Sequence, residues 1–179
     1  MVYDIGGYIG THTLPFAYYS KSVVVFEPNH EICNCLISNV ELNELENIEV
    51  YELGLSNKAS TQLFSNRNDG TSRIYHDSFT KQQMQNFDSE HEIREIETIT
   101  LDSIASGVEE NIKLLKIDVE GHEFKVLEGA KEVIANNRPH ILIECYRYKR
   151  QQLYKWAEEN NYTVEWLRGD DFYLTSSPP

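Results

Sequence analysis

Asp4, Glu27, Asp118 and Glu144 each close a short apolar run: Val2-Tyr3-Asp4, Val23-Val24-Val25-Phe26-Glu27, Leu114-Leu115-Lys116-Ile117-Asp118 and His140-Ile141-Leu142-Ile143-Glu144. Soon after the first comes Gly6-Gly7-Tyr8-Ile9-Gly10. Glycines at such a turn let backbone approach a ligand, and a carboxylate about twenty positions further on suits the hydroxyls of a ribose. Dinucleotides and S-adenosylmethionine both carry that ribose. Asp4, just before the turn, separates them on charge: it pairs with a cationic amino group and repels a pyrophosphate. Gathering several carboxylates beside a sulfonium lowers the energy, and gathering them beside two phosphates raises it. The acidic rim therefore points to S-adenosylmethionine, with a nicotinamide-dependent dehydrogenase as the weaker reading.

These residues can converge only if their runs are strands of one sheet. Val23 to Phe26 and His140 to Ile143 read as parallel strands buried on both faces, and Ile48 to Tyr51 adds another. Helical spacing appears through Thr13 to Ala17, Glu31 to Leu42, Phe124 to Ile134 as a single stripe, and Leu153 to Glu159. Strand–helix alternation predicts an α/β fold with a largely parallel sheet and helices on both faces, and ligands in such sheets bind beyond the carboxyl ends of the strands. The tail, Tyr162 to Trp166 and Phe172 to Thr175, predicts an antiparallel pair turned at Arg168-Gly169-Asp170. Residues 65–95 are poor in aliphatics and read as an insertion: a turn at Asn68-Asp69-Gly70, a short helix capped by Ser78 and running to Phe87, and a strand over 91–98. Such a segment is either a loose surface loop or a mobile cover over a substrate site. The 179 residues suit one domain.

Sixteen basic against twenty-nine acidic residues give 16 − 29 = −13, a field that repels phosphate backbones and anionic membrane surfaces. Nucleic acid and membrane are therefore not expected as partners, and Arg147, Lys149 and Arg150 read as a solvated helix start. Cys33, Cys35 and Cys145 lack metal-ligand spacing and read as reduced thiols. No stretch approaches the ~20 apolar residues of a membrane span and no leader precedes the glycine turn, so a reducing cytoplasm is the expected compartment.

The segments from Asp4 to Leu14, Val25 to Pro28, Asn43 to Val50, Thr100 to Asp102, Leu115-Lys-Ile-Asp-Val-Glu-Gly-His-Glu123, Val126 to Ala130 and Arg138 to Glu144 resemble, in order and spacing, the FkbM family of methyltransferases. The resemblance runs from Val2 to about Glu144, and Lys116-Ile-Asp-Val-Glu-Gly121 is its most distinctive part. It implies a Rossmann-like class I methyltransferase fold, with a seven-stranded sheet whose last strand is antiparallel, acting on hydroxyls of sugars, polyketides or similar metabolites. It also implies that Asp4, Gly6 and Gly10 surround the amino-acid end of the cofactor. Glu27, followed by Pro28, accepts from both ribose hydroxyls, Leu55 and Ser56 lie beside the adenine, and Asp118 sits near the reacting methyl. Tyr8 departs from the family, which places Asn there, and is expected to crowd the cofactor or stack on it. With Met1 at the first strand there is no preceding enclosing segment, so the expectation is weak cofactor affinity or a lid supplied by a second subunit of a homodimer.

Methyl transfer to an alcohol needs positioning and help in removing a proton. The candidate bases are Asp118, Glu120 and His122, with Glu144 one strand away and His12 beyond the glycine turn; Asp118 or His122 is favoured. Asp118 and Glu144 alternatively hold a divalent ion, although no metal ligand is assigned. Lys116, two residues before Asp118 and on the same side of its strand, neutralises the acidic cluster. The expected acceptor is a sugar or glycan hydroxyl stacked on Tyr75, Tyr146 or Trp166. Polyketide or other small-metabolite alcohols, or a non-catalytic S-adenosylmethionine-binding protein, are the alternatives.

Overall fold

The computed structural model describes residues 1–67, 70–75, 80–88 and 91–176, with only the backbone of Phe87. Seven strands form the main sheet in the order β10-β11-β9-β8-β1-β2-β3. They are β1 (Val2–Ile5), β2 (Val23–Phe26), β3 (Ile48–Tyr51), β8 (Leu114–Ile117), β9 (His140–Glu144), β10 (Tyr162–Arg168) and β11 (Asp171–Ser176). The strands β3, β2, β1, β8 and β9 are mutually parallel, and β11, the last, runs antiparallel to both its neighbours. This is the seven-stranded α/β arrangement that the sequence predicts.

The period of two along each strand sends alternate residues to opposite faces. Val2 and Val23 pack with Ala17 and Phe16 of α1 (Thr13–Tyr19), and a Cβ on Gly7 would meet both Val25 and Leu36 of α2 (His30–Leu42), which puts α2 on that face as well. Tyr3, Ile5, Val24, Phe26, Leu115, Ile117, Ile141 and Ile143 form the larger core on the other face. There they meet Leu101 of α4 (Leu101–Ala105), Phe124, Val126 and Leu127 of α5 (Glu123–Glu128), Val133 and Ile134 of α6 (Lys131–Asn137), and Leu153 and Ala157 of α7 (Arg150–Glu159). Each such side chain, enclosed, stabilises the fold by about 1.5–3 kcal/mol.

Two features differ from the sequence expectation. The single stripe from Phe124 to Ile134 is two helices broken at Gly129-Ala130. The break follows from packing: the backbone comes so near residue 56 that a Cβ on Gly129 would lie 2.0 Å from the Ser56 carbonyl oxygen. The Gly129 carbonyl then accepts from the Asp102 N–H, whose carboxylate in turn accepts from the N–H groups of Glu132 and Val133 at the start of α6.

The second difference lies around the polar segment. A separate four-stranded sheet, ordered β4-β7-β5-β6, is built from β4 (Gly54–Leu55), β5 (Ser60–Asn66), β6 (Arg73–Ile74) and β7 (Glu92–Ile99), with α3 (Lys81–Phe87) between β6 and β7. The strand expected over 91–98 is β7. The helix reaches Phe87 as expected, but its cap is Thr80, which forms a capping box with Gln83; Ser78, Asn68 and Asp69 lie outside the described residues. The sheet starts before the polar segment because Ser60 to Asn66 pairs with β7 along its whole length.

Candidate functional site at the carboxyl edge of the main sheet

The turn after β1 is fixed by backbone geometry. Gly6 and Gly7 both donate to the Phe26 carbonyl (2.9 and 3.1 Å). Gly6 has φ +84°, and a Cβ there would fall 1.8 Å from the Asp118 carbonyl oxygen, so the edge between β1 and β8 closes only around glycine. Tyr8 also has a left-handed φ of +51°. Its N–H donates to Glu27 Oε2 (3.0 Å), and its ring lies against Gly70 of the second sheet's connection, within 3.4 Å of where a Cβ would be.

Between the main and second sheets this turn borders a pocket with a free volume of about 70 Å³. Gly6, Tyr8, Glu27, Pro28, Leu55, Asp118 and Glu120 lie on its wall, so seven of the sequence-predicted site residues meet there. Glu27 is 7% exposed and accepts from two backbone N–H groups, those of Tyr8 and Asn29 (2.9 Å). Burial pushes its carboxyl up to about 7, against the pull of these two donors and of Lys116.

Other predicted residues stand elsewhere. Asp4 is fully enclosed: Thr13 donates its hydroxyl to Oδ2 (2.6 Å) and Lys116 Nζ lies 3.4 Å from Oδ1. It is not on the pocket wall, because the β-strand period turns its side chain under α1. Gly10 likewise packs on Leu14 and Leu36 and is not on the pocket wall. Ser56 and His122 face a neighbouring cavity, where His122 Nε2 and Ser56 Oγ are 3.0 Å apart; this separates His122 from the pocket that Asp118 lines.

Lys116 holds the acidic edge together. Register places it beside Asp4, and its Nζ donates to the Gly6 carbonyl (2.7 Å) and lies 3.4 Å from Asp118 Oδ2 as well as from Asp4. Its buried ammonium is kept charged by Asp4 and Asp118 despite desolvation, so its pKa is raised. The sequence expectation that Lys116 neutralises the cluster is seen in these distances.

One oxygen each of Asp118, Glu120 and Glu144 lies within 4.8 Å of the others. Burial, then the Asp118 carboxylate, pushes Glu144 up to about 8, so it retains a proton near neutrality. Glu120 sits in a left-handed conformation (φ +53°) and accepts from the Tyr146 hydroxyl. Asp118 and Glu144 also face a cleft on the far side of β8 with His12 and Arg168. Three acids this close can bind a divalent cation, but Lys116 already supplies a positive charge to Asp118.

The second sheet adds walls that sequence reasoning did not name: Phe64, Arg67, Ser72 and Ile74. Asn29, the N-cap of α2, ties two of them to the main sheet's side by donating to the Arg67 carbonyl (3.1 Å) and the Ser72 hydroxyl (3.2 Å). No local pattern marks these four residues, since their position depends on how β5 and β6 lie over the main sheet.

The methyltransferase FkbM domain matches residues 4–172, nearly the whole chain. The chain belongs to the FkbM methyltransferase family. A curated relative, Methyltransferase 1 of Beauveria bassiana (strain ARSEF 2860), is 32% identical over 143 residues, 72% of this chain and 57% of that protein. Among solved structures, an FkbM methyltransferase from Methylobacillus flagellatus KT superposes with a TM-score of 0.69 at 18% identity, covering 97% of this chain and 42% of the other. The magnesium protoporphyrin IX methyltransferase of Synechocystis PCC 6803, solved with bound SAM, gives 0.55 at 9% identity, covering 99% and 70%. The chain thus spans about half the length of the first two relatives, and the fold of this FkbM chain is that of the class I methyltransferases.

Proposed function

We propose that this FkbM chain moves a methyl group from S-adenosylmethionine to a hydroxyl oxygen of a sugar or glycan. The observation that carries the reading is the pocket itself, in which a glycine-only turn, the buried Glu27 carboxylate and the strand-end Asp118 line one wall. These residues fit the cofactor by chemistry. Ile32, Leu53, Leu55 and Phe64 offer apolar surface for a purine. The Glu27 oxygens retain lone pairs for ribose hydroxyls beside the two N–H groups they already accept from. Tyr8 and Gly70 both lie on the pocket wall, so the Tyr8 ring bounds the space left for an S-adenosyl group.

S-adenosylmethionine supplies a methyl on a sulfonium, which leaves as a neutral thioether and needs no general acid. This chain's residues then have two tasks, to place the alcohol and to take its proton. Asp118 is the proposed base: it borders the pocket, and Lys116 fixes its carboxylate. Glu144, holding a proton near neutrality, stands next to it as partner. Base assistance of this kind contributes about 10²–10⁴ in rate. A sugar ring is favoured over a bulkier alcohol by the polar groups around Asp118 and by Tyr146, whose hydroxyl meets Glu120. Trp166, on the exposed β10 hairpin, donates its indole N–H to the Gly169 carbonyl and is not part of the pocket wall.

The test is calorimetric titration of S-adenosylhomocysteine followed by labelled methyl transfer onto a panel of sugars, glycans and polyketide alcohols. Binding that Glu27→Gln weakens, with turnover on a sugar, is the expected result. Turnover confined to polyketides removes the sugar reading, and binding without turnover on any alcohol removes the enzyme reading.

A further inference from the structure

A second cavity, of about 340 Å³, lies beside the pocket and shares Ile74 with it as a wall. The chain passes from one to the other within a single step, since Glu120 borders the pocket and Gly121 the cavity. Its chemistry is the reverse of the acidic edge. Lys58, Lys125, Lys149 and His122 lie on its wall, and no Asp or Glu does among the described residues. In a chain of net charge −13 this local reversal of sign is notable, because the surrounding field works against it. These lysines are engaged already: Lys125 lies 3.0 Å from the exposed Glu128, which also accepts from Asn57 on the wall, Lys149 lies 3.6 Å from the enclosed Glu123 and donates to the Gly121 carbonyl, and Lys58 has an interaction of its own.

A separate observation concerns Gln62, on the same wall and 6% exposed. Its Nε2 reaches the hydroxyls of Ser56 (3.3 Å) and Ser60 (3.2 Å), while its Oε1 is buried with no hydrogen-bond partner. A buried amide end left without a partner is costly. Half a turn of the amide exchanges its ends: the oxygen then accepts from the two serine hydroxyls, and the NH2 is presented to the cavity as a donor. Three ammonium groups and an imidazole around one space form a receptor for oxygen anions, to which the rotated Gln62 amide would add a donor.

We propose that this cavity is an oxyanion subsite, which holds a phosphate or carboxylate group carried by the methyl acceptor. That the guest is the acceptor rests on the methyl-transfer reading; that it is an anion does not. The acceptor class becomes an acidic or phosphorylated sugar in place of a neutral one. Its charged group sits among Lys58, Lys125 and Lys149, and its hydroxyl is presented across the Ile74 wall toward Asp118.

The experiment titrates inorganic phosphate, glucose 6-phosphate, glucuronate and glucose into the full chain, with S-adenosylhomocysteine titrated separately as a check on the cofactor pocket. The two sugar acids distinguish a phosphate from a carboxylate. Expected are binding of the anions but not of glucose, about tenfold loss in Lys125→Gln, about a hundredfold in the Lys58→Gln/Lys125→Gln pair, and weakening with added salt. Both lysines are on the surface, so their removal leaves folding intact, as a melting curve checks; Lys149→Gln is a third arm, with its own curve because it contacts buried Glu123. Anions that bind no better than glucose, or binding that is indifferent to the lysine pair, overturns the proposal. S-adenosylhomocysteine binding without anion binding sinks the subsite alone, whereas anion binding without S-adenosylhomocysteine binding sinks the methyl-transfer reading and leaves the cavity's chemistry standing.

Discussion

Along β8 of the main sheet, Leu115 and Ile117 are fully enclosed and the one polar residue between them, Lys116, is paired to two carboxylates. Along β5 of the second sheet, enclosure falls instead on Gln62, Phe64 and Ser65, two of them polar. One acid gathers four residues of the second sheet and its connections: Asp88 accepts from Ser65 (2.6 Å), Arg67 (2.6 Å) and Tyr75 (3.0 Å), and lies 2.5 Å from His91 Nδ1. Apolar packing is non-directional and survives small shifts, while a hydrogen-bonded hub depends on each partner. One side of the pocket is therefore built on an apolar core with its charges gathered at the strand ends, and the opposite wall on a polar network that runs through enclosed positions.

The largest effect that breaks this contrast is Gly6→Ala. Its Cβ meets the Asp118 carbonyl on the rigid side, so we expect a loss of more than about 4 kcal/mol and of S-adenosylhomocysteine binding, read by denaturant unfolding and calorimetry. Retained binding would show that the glycine turn is softer than its contacts imply.

Asp88→Ala tests the other wall. With four partners left around a 7%-exposed position, it should cost about 2–4 kcal/mol, and hydrogen exchange should rise over 60–66 and 92–99 while β1 and β8 stay protected. Equal loss in both sheets would mean that they unfold as one unit. Although burial opposes ionisation, hydrogen bonds from Ser65, Arg67 and His91 hold this carboxyl well below the usual carboxylate range. A depressed folded pKa gives stability that is present above the unfolded value near 4 and lost as pH falls below it; the alanine variant should lose that acid sensitivity.

Glu144 carries the opposite sign. With its folded pKa raised to about 8, the unfolded chain releases this proton first, so stability declines as pH rises from about 4.5 to 8. Glu144→Gln should flatten that decline in a series of thermal melts, and should change the upper limb of the pH–rate profile if the carboxyl pair takes the alcohol's proton. An unchanged melting series would remove Glu144 from the proton-holding role.

The smallest effect is expected at Tyr8→Gly. It relieves a left-handed backbone and removes the ring that narrows the pocket, so S-adenosylhomocysteine should bind a few-fold more tightly by calorimetry. Weaker binding would mean that the ring stacks on the ligand, and that the soft wall contributes contacts as well as cover.

The parallel strands of the main sheet were legible because they are short, mostly apolar runs with a polar stop at or just past the end: Glu27 before Pro28, Asp118 after Ile117, Glu144 after Ile143. The second sheet was less so, since polar residues such as Gln62 and Ser65 fill enclosed positions and blur the alternation that marks a strand. Asp4 shows a different gap. Its place beside the glycine turn was plain, but its direction depends on which face α1 covers, and that face turned it to Thr13 and Lys116. Ser56 and His122 were singled out for one site and stand together in another.

Sequence alone determined the strand–helix rhythm and the carboxylates at the strand ends, because local propensity and periodicity are written in neighbouring residues, and its motifs carried the resemblance to the family. Tertiary structure decided which of those carboxylates reach open space, that Gly129 breaks a helix to pass Ser56, and that lysines from three separate segments face one cavity. These are relations between residues far apart in the chain, and only packing brings them within a few ångströms.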